Sequence, residues 1–295
     1  MLNIKLNCQV FEGIVIVWFV IFFIFLLYLY IKSFKPYKAS FNEEYYTGIP
    51  DDLNLIEVSN LVNRKINANV LASYVISLIN RGLLKIADID GKEYITKGNS
   101  TGTKSVGDEC TLKLILYTMG DGEKVTIDEL YHFSDRKRNK KIMLMEYTIW
   151  DKVMKKENYQ HIFYETKDQY GLVRAITIIG CSLFLVNIIA GFHSVLSYFT
   201  ILPAILILLF FSQVYKRTRD ANEEYLKWMA FKAYLENITS FDIKILYPEE
   251  YLMYGTCLGV RGLEAKITNH NYCERLTEAL NRSVLKAVLN GNKIK

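Results

Sequence analysis

The sequence predicts a mainly α membrane protein: three transmembrane helices, an α+β winged-helix-like cytoplasmic module and a helical C-terminal tail. Three observations lead to this fold class. Three long runs carry no charged residue, namely 14–31, 175–192 and 195–215. Lysine and arginine flank these runs unevenly. Between the first two runs, helix and hairpin patterns follow one another over the length of an ordinary domain.

Each uncharged run has the length of a bilayer-spanning helix. At about 1.5 Å per residue, runs of this size reach roughly 27–31 Å, close to the ~30 Å hydrocarbon core of a bilayer. They are apolar on every side, whereas a soluble surface helix shows one apolar stripe. No small-residue cleavage site follows the first run, so we interpret it as an uncleaved anchor.

The basic residues predict the orientation of these runs. Six of them follow the first and third runs: Lys32, Lys35, Lys38, Lys216, Arg217 and Arg219. The connection 191–194 has none. The positive-inside rule then places residues 1–13 outside the cell as a short N-terminus. We therefore expect a multi-pass plasma-membrane protein in contact with the lipid bilayer, with residues 216–295 as a cytoplasmic tail.

The segment between the first two runs is predicted to form two small units behind a juxtamembrane tether, 32–48. In the first unit, 49–96, Asn54 and Asn67 are placed to cap two helices, and Gly82 to end the second. Asp90-Gly91 is a strong signal for a two-residue hairpin turn. Helix, helix and hairpin in this order indicate a winged-helix-like unit.

A flexible linker, 97–107, separates this unit from a second winged-helix-like unit, 108–166. The linker is rich in Gly, Ser and Thr and has one apolar residue, Val106. In the second unit, Thr126-x-x-Glu129 is a capping box, and a longer amphipathic helix is expected over 141–157. Three more helices are expected in the tail, at 223–236, 249–258 and 271–289.

Several stretches resemble the YciQ-like predicted membrane proteins, a family catalogued as a domain of unknown function. The resemblance covers roughly residues 37–262. It is carried by Ile49-Pro50-Asp51-Asp52-Leu53, Leu78-Ile79-Asn80-Arg81-Gly82-Leu83-Leu84, Trp228-x-x-Phe231, Glu250-Tyr251-Leu252-x-Tyr254 and Leu258-Gly259-Val260. It implies architecture and no chemistry. Family members usually carry a large extracytoplasmic β-rich domain before the first span, so we expect that domain to be absent here or supplied by a partner.

Two stretches carry incomplete patterns of a ligand site. The stretch 98–105 lies between a predicted strand and helix, but its glycine and lysine spacing differs from that of a phosphate-binding loop, so a linker is favoured. Cys257, His270 and Cys273 could hold zinc. They offer only three ligands without a CxxC pair, whereas structural zinc sites have four.

The remaining polar candidates also have ordinary structural explanations. The histidines 132, 161 and 193 show no triad partners. The pairs Asp51-Asp52 and Glu249-Glu250 precede predicted helices, where acids complement the helix dipole. The basic run 136–141 could contact lipid, nucleic acid or solvent, with a solvated turn favoured. Residues 49–165 hold 17 acids and 17 bases, which argues against duplex binding.

The sequence therefore predicts no catalytic, cofactor-binding or metal-binding residues and no cofactor. The expected function is a non-enzymatic scaffold or signalling-interaction protein with an unknown protein partner. The alternative is a membrane-tethered regulator that binds nucleic acid through the winged-helix-like units.

Overall fold

The computed structural model describes residues 2–29, 31, 35–51, 53–100, 104–159, 161–165, 170–189, 195–200, 216–238, 248–267 and 271–291. The chain divides into two compact units. The first unit comprises residues 1–38 and 163–222, and the second comprises residues 39–162 and 223–295.

The first unit is built from helices α1 (Leu2–Leu29), α7 (Tyr170–Ile189) and α8 (Val195–Tyr198). Trp18 of α1 lies against Gly180 of α7, where a Cβ would come within 2.8 Å of the indole ring. The glycine therefore permits a close approach of the two helices. An isolated antiparallel β-bridge joins Tyr164 and Arg217.

The prediction of three transmembrane helices is wrong for the residues that the structure describes. Among them, no helix combines the length and the apolar composition that crossing a membrane requires. The observed helices also differ in their bounds from the uncharged runs: α1 includes Lys5 and Glu12, and α7 includes Arg174. Most of the third run, 201–215, lies outside the described residues.

The second unit begins with two helices, α2 (Leu55–Asn63) and α3 (Ala68–Asn80). The Asn54 side chain accepts hydrogen bonds from the Ile56 and Glu57 amides, and that of Asn67 accepts one from the Val70 amide. Both caps satisfy amides that would otherwise lack a partner at a helix start. The two predicted helix starts are therefore confirmed.

A three-stranded antiparallel sheet follows, in the order β1 (Leu84–Ile89), β2 (Lys92–Lys97) and β3 (Lys124–Thr126). At the hairpin turn, Asp90 and Gly91 have φ values of 54° and 75°, the left-handed conformation of a type I′ turn. Strand β3 comes from the second predicted unit and pairs with β2. The sheet thus joins strands from both predicted units, and the winged-helix-like assignment receives no support.

The next segment is helical except for β3. Helix α4 (Val106–Leu112) continues as a π-helix (Lys113–Met119). Helix α5 (Ile127–His132) ends in a 3₁₀ turn (Phe133–Asp135), and α6 spans Lys137–Asn158. The predicted capping box of Thr126 and Glu129 is present at the start of α5. Helix α6 begins four residues before its predicted start and takes in most of the basic run.

Four tail helices follow, and their residues from 223 onward belong to the second unit: α9 (Arg219–Asn237), α10 (Pro248–Leu258), α11 (Leu263–Ile267) and α12 (Tyr272–Gly291). Helix α12 packs against α3, α5 and α6, while α10 packs against α2 and α3. Trp150 of α6 and Trp228 and Phe231 of α9 are fully buried. The tail is therefore part of the core of this unit, and the expectation that the chain is mainly α is confirmed.

Candidate functional site

The stretches that carry the family resemblance lie side by side in the structure. Trp228 and Phe231 of α9 contact the rings of Tyr254 and Tyr251 of α10. The Tyr254 hydroxyl donates to the Leu53 carbonyl at 2.8 Å, so α10 is joined to the start of α2. These residues pack against one another and hold α9, α10 and the start of α2 together. The resemblance motifs that contain them therefore have a structural role in the fold.

Beside these contacts, in the second unit, lies a groove of about 420 Å³. We call it the tail groove. Its lining comes from α3, α10, the turn 259–262, α11 and α12: Asn69, Leu252, Thr256, Gly259, Val260, Arg261, Gly262, Leu263, Glu264, Cys273, Glu274, Thr277, Glu278 and Asn281. Most of these side chains are polar, so the groove favours a polar or charged ligand over an apolar one.

Two glycines shape the wall of the tail groove. Gly259 and Gly262 have φ values of 78° and 66°, which a residue with a Cβ adopts only at a cost in free energy. Gly259 ends α10, and its amide donates to the Thr256 carbonyl. The chain can therefore leave α10 and enter α11 within four residues.

Hydrogen bonds hold the groove walls together. The side-chain amide of Asn281 on α12 donates a hydrogen bond to the side-chain oxygen of Asn69 on α3 at 2.6 Å. The Glu264 carboxylate accepts from the Cys273 amide at 2.5 Å, at the start of α12, where the helix dipole favours a negative charge. The walls come from three separate parts of the chain and are fixed by direct contacts.

The charge of the tail groove is predominantly negative. Glu264, Glu274 and Glu278 supply three carboxylates, and Arg261 supplies one guanidinium. Glu274 and Glu278 are exposed one turn apart on α12. Carboxylates are acceptors only, so the lining suits a ligand with several N–H donors and positive charge.

The thiols of this region are poor nucleophiles. Burial raises the pKa of the Cys273 thiol to about 12, with the nearby Glu264 carboxylate adding to the effect. Burial likewise raises the pKa of Cys257 to about 12. Since the thiolate is the reactive form, both cysteines are protonated near neutral pH.

The two described residues of the candidate zinc set have other surroundings in the structure. Cys257 is buried and donates to the Leu55 carbonyl, while Cys273 lines the tail groove. His270 lies outside the described residues. Within the described ranges, no group of three or more His, Cys, Asp or Glu side chains is placed to hold a metal ion.

The start of α4, where a phosphate loop would place its anion, is occupied by protein. The Glu157 carboxylate of α6 accepts hydrogen bonds from the Val106 and Gly107 amides at 3.1 and 2.7 Å. Ser105 caps the same helix. A phosphate at this helix start would meet a carboxylate. Residues 101–103 of the stretch 98–105 lie outside the described residues.

The other described polar candidates have structural roles. His132 lies 2.8 Å from Asp135, and His161 lies 2.7 Å from the buried Glu57 carboxylate. Glu249 and Glu250 lie in the first turn of α10, where the helix dipole favours acids. His193 and Asp52 lie outside the described residues.

A buried charge network was missed from the sequence. Asp108 is fully buried and accepts hydrogen bonds from the Arg81 guanidinium, the Tyr74 hydroxyl and the Ser105 amide. Burial would raise the pKa of Asp108, but these donors, Arg81 foremost, outweigh burial and hold the pKa below its usual value. The spacing Ser105-x-x-Asp108 is a capping-box signal that could have revealed the start of α4.

A family comparison agrees with the architecture described above. Residues 42–262 match the model of a family described as "Predicted membrane protein (DUF2207) C-terminal domain". The chain belongs to the DUF2207 family. The match ends within the turn that shapes the tail groove, so the DUF2207 domain contains α2 to α10 and the groove's glycines. The family description supports a membrane localisation. No curated protein and no solved structure matches the chain.

Proposed function

We propose that this DUF2207 protein is a non-enzymatic interaction protein of the membrane, and that its tail groove binds a basic segment of a partner protein. The observation that carries the proposal is the groove itself. Its walls come from α3, α10 and α12, and its lining presents three carboxylates against one guanidinium. A peptide with lysine or arginine would find acceptors along α12.

The chemistry of the groove favours binding over catalysis. Its one thiol, Cys273, has a pKa raised to about 12 and is held in the protonated form near neutral pH. Among the described lining residues there is no histidine to act as a general base. Carboxylates without a nucleophile beside them suit recognition of a charged ligand.

The alternative function, binding of nucleic acid through a winged-helix unit, receives no support from the position of α3. Eight of the 13 residues of α3 are buried, and the helix packs against α10 and α12. A recognition helix must present side chains to base edges in the major groove. Because tail helices cover it, α3 serves as a core element.

The proposal is tested with a fluorescein-labelled peptide rich in lysine and arginine, titrated with the purified full chain. The double variant Glu274→Gln with Glu278→Gln removes two exposed carboxylates from the groove. We expect its affinity for the peptide to fall about thirtyfold, since each of the two lost charge contacts near the surface contributes roughly 1 kcal/mol. Fluorescence anisotropy measures the dissociation constant.

A matched control separates groove binding from general attraction to a negative protein. Glu43→Gln with Glu123→Gln removes two exposed carboxylates elsewhere on the same unit. The control should bind the peptide like the wild type. Equal losses in both variants, or no binding by the wild type, would refute the groove as a site for basic segments.

A further inference from the structure

Helix α6 presents an exposed stripe whose composition differs from the rest of its surface. The residues follow each other at intervals of three or four, so they lie on one helix face: Arg138, Lys141, Met145, Ile149, Lys152 and Lys156. Two cations lie at each end of the stripe, and two apolar side chains lie between them. Met145 is 55% exposed and Ile149 42% exposed.

The opposite face of α6 explains why these residues point outward. Met143, Trp150 and Met154 are completely buried, and the Trp150 indole donates to the Thr111 hydroxyl at 2.8 Å. The helix therefore has its own apolar face inside the protein. Met145 and Ile149 are additional apolar side chains that the folded unit leaves in contact with solvent.

The carboxylates of α6 are engaged away from the stripe. Glu146 pairs with Lys113 at 3.4 Å, Asp151 pairs with Lys155 at 2.7 Å, and Glu157 caps α4. By contrast, the four cations of the stripe form no ion pair with any described residue. The stripe thus carries uncompensated positive charge, although residues 49–165 are neutral as a whole.

An anionic lipid surface matches both properties of the stripe. Phosphate and carboxylate headgroups attract the lysines and the arginine, and the acyl boundary accepts exposed methionine and isoleucine side chains. A nucleic-acid backbone would satisfy the cations but offers no apolar layer to Met145 and Ile149. The combination of the two chemistries on one face therefore favours lipid.

We propose that the stripe on α6 docks the second unit onto the surface of an anionic membrane, with Met145 and Ile149 entering the headgroup layer. This surface is separate from the tail groove, so its occupant is independent of any protein partner there. The interaction is peripheral. It requires a negatively charged leaflet and weakens as salt screens the headgroups.

The test places an environment-sensitive fluorescent amino acid at position 145 of the full chain, which is then incorporated into vesicles. Vesicles of phosphatidylcholine are compared with vesicles that also contain phosphatidylserine. We expect a blue shift of the emission only with vesicles that contain phosphatidylserine. The shift should be lost at about 1 M salt, where the Debye length is about 3 Å. The same probe at exposed Tyr45, beside Glu43 and Glu44, should show no shift.

Two charge-matched variants decide the role of the cations. Replacing all four stripe cations by glutamine should abolish the shift at position 145. Replacing four exposed lysines elsewhere, at 65, 85, 92 and 104, should leave the shift intact. The proposal fails if the shift occurs in phosphatidylcholine alone, survives the stripe variant, or appears with duplex DNA and not with phosphatidylserine.

Discussion

At the scale of single residues, the buried polar groups tie distant segments of the second unit together. Asp108 joins α4 to α3 through Arg81 and Tyr74, across the residues expected to form a flexible linker. Breaking a buried ion pair by removing one partner is costly because the other charge is left without compensation. The sequence does not predict these contacts, because they form only when α3 and α4 pack together in the folded unit.

Asp135 is a second carboxylate with a strong charge environment. The Lys286 ammonium and then the His132 ring hydrogen-bond to it, and Arg282 lies nearby, so that its pKa is lowered to about 2. In an unfolded chain an aspartate has a pKa of about 3.9. A lowered pKa stabilises the folded state at pH values above the unfolded pKa, and this contribution is lost as the pH falls through the folded pKa.

We therefore expect the wild type to lose more stability than Asp135→Asn as the pH falls from about 4 to about 2. The asparagine variant should be less stable at neutral pH, because the carboxylate partner of Lys286 is gone. Chemical denaturation at a series of pH values measures the difference. Two curves that remain parallel across this range would show that Asp135 makes no such contribution.

At the scale of elements, local signals identified helix starts and turns well. The predicted helix caps and hairpin turn are present, at Asn54, Asn67, Thr126 and Asp90-Gly91. Each was predictable because it depends on hydrogen bonds or backbone angles within a few residues. Strand β3 was missed because three residues carry no periodicity, and it forms only by pairing with β2.

Helix α12 illustrates what periodicity can and cannot predict. Its buried face repeats at helical spacing through Leu276, Ala279, Leu280, Ser283 and Ala287, so the helix itself was predictable. The helices that pack against α12 were not predictable, because an apolar stripe indicates that a helix face is buried but does not identify the element that buries it. The tail groove was unpredictable for the same reason, since it exists only where α12 meets α3 and α10.

The packing of α12 gives a direct stability prediction. Leu280 is completely buried, so Leu280→Ala should lower the free energy of unfolding by about 2–5 kcal/mol through lost contacts and a residual cavity. Leu285 lies on the same helix and is 57% exposed. Leu285→Ala should change stability by no more than about 0.5 kcal/mol. Denaturant unfolding of both variants compares them, and similar losses would contradict the packing described here.

At the scale of the whole molecule, composition was a weaker guide than local pattern. The uncharged runs predicted three transmembrane helices, and no described helix meets the requirements for crossing a membrane. Membership of a family of predicted membrane proteins nevertheless supports a membrane localisation. Counting uncharged residues along a sequence does not establish where a helix begins and ends.

The central claim is that the C-terminal residues complete the second unit and form one wall of the tail groove. Amide hydrogen exchange of α3, compared between the full chain and a chain ending at residue 270, tests it most directly. We expect Val70, Leu71 and Val75, all fully buried, to exchange at least ~100-fold faster without α12, because their cover is lost. Unchanged protection of α3 in the shortened chain would contradict the account.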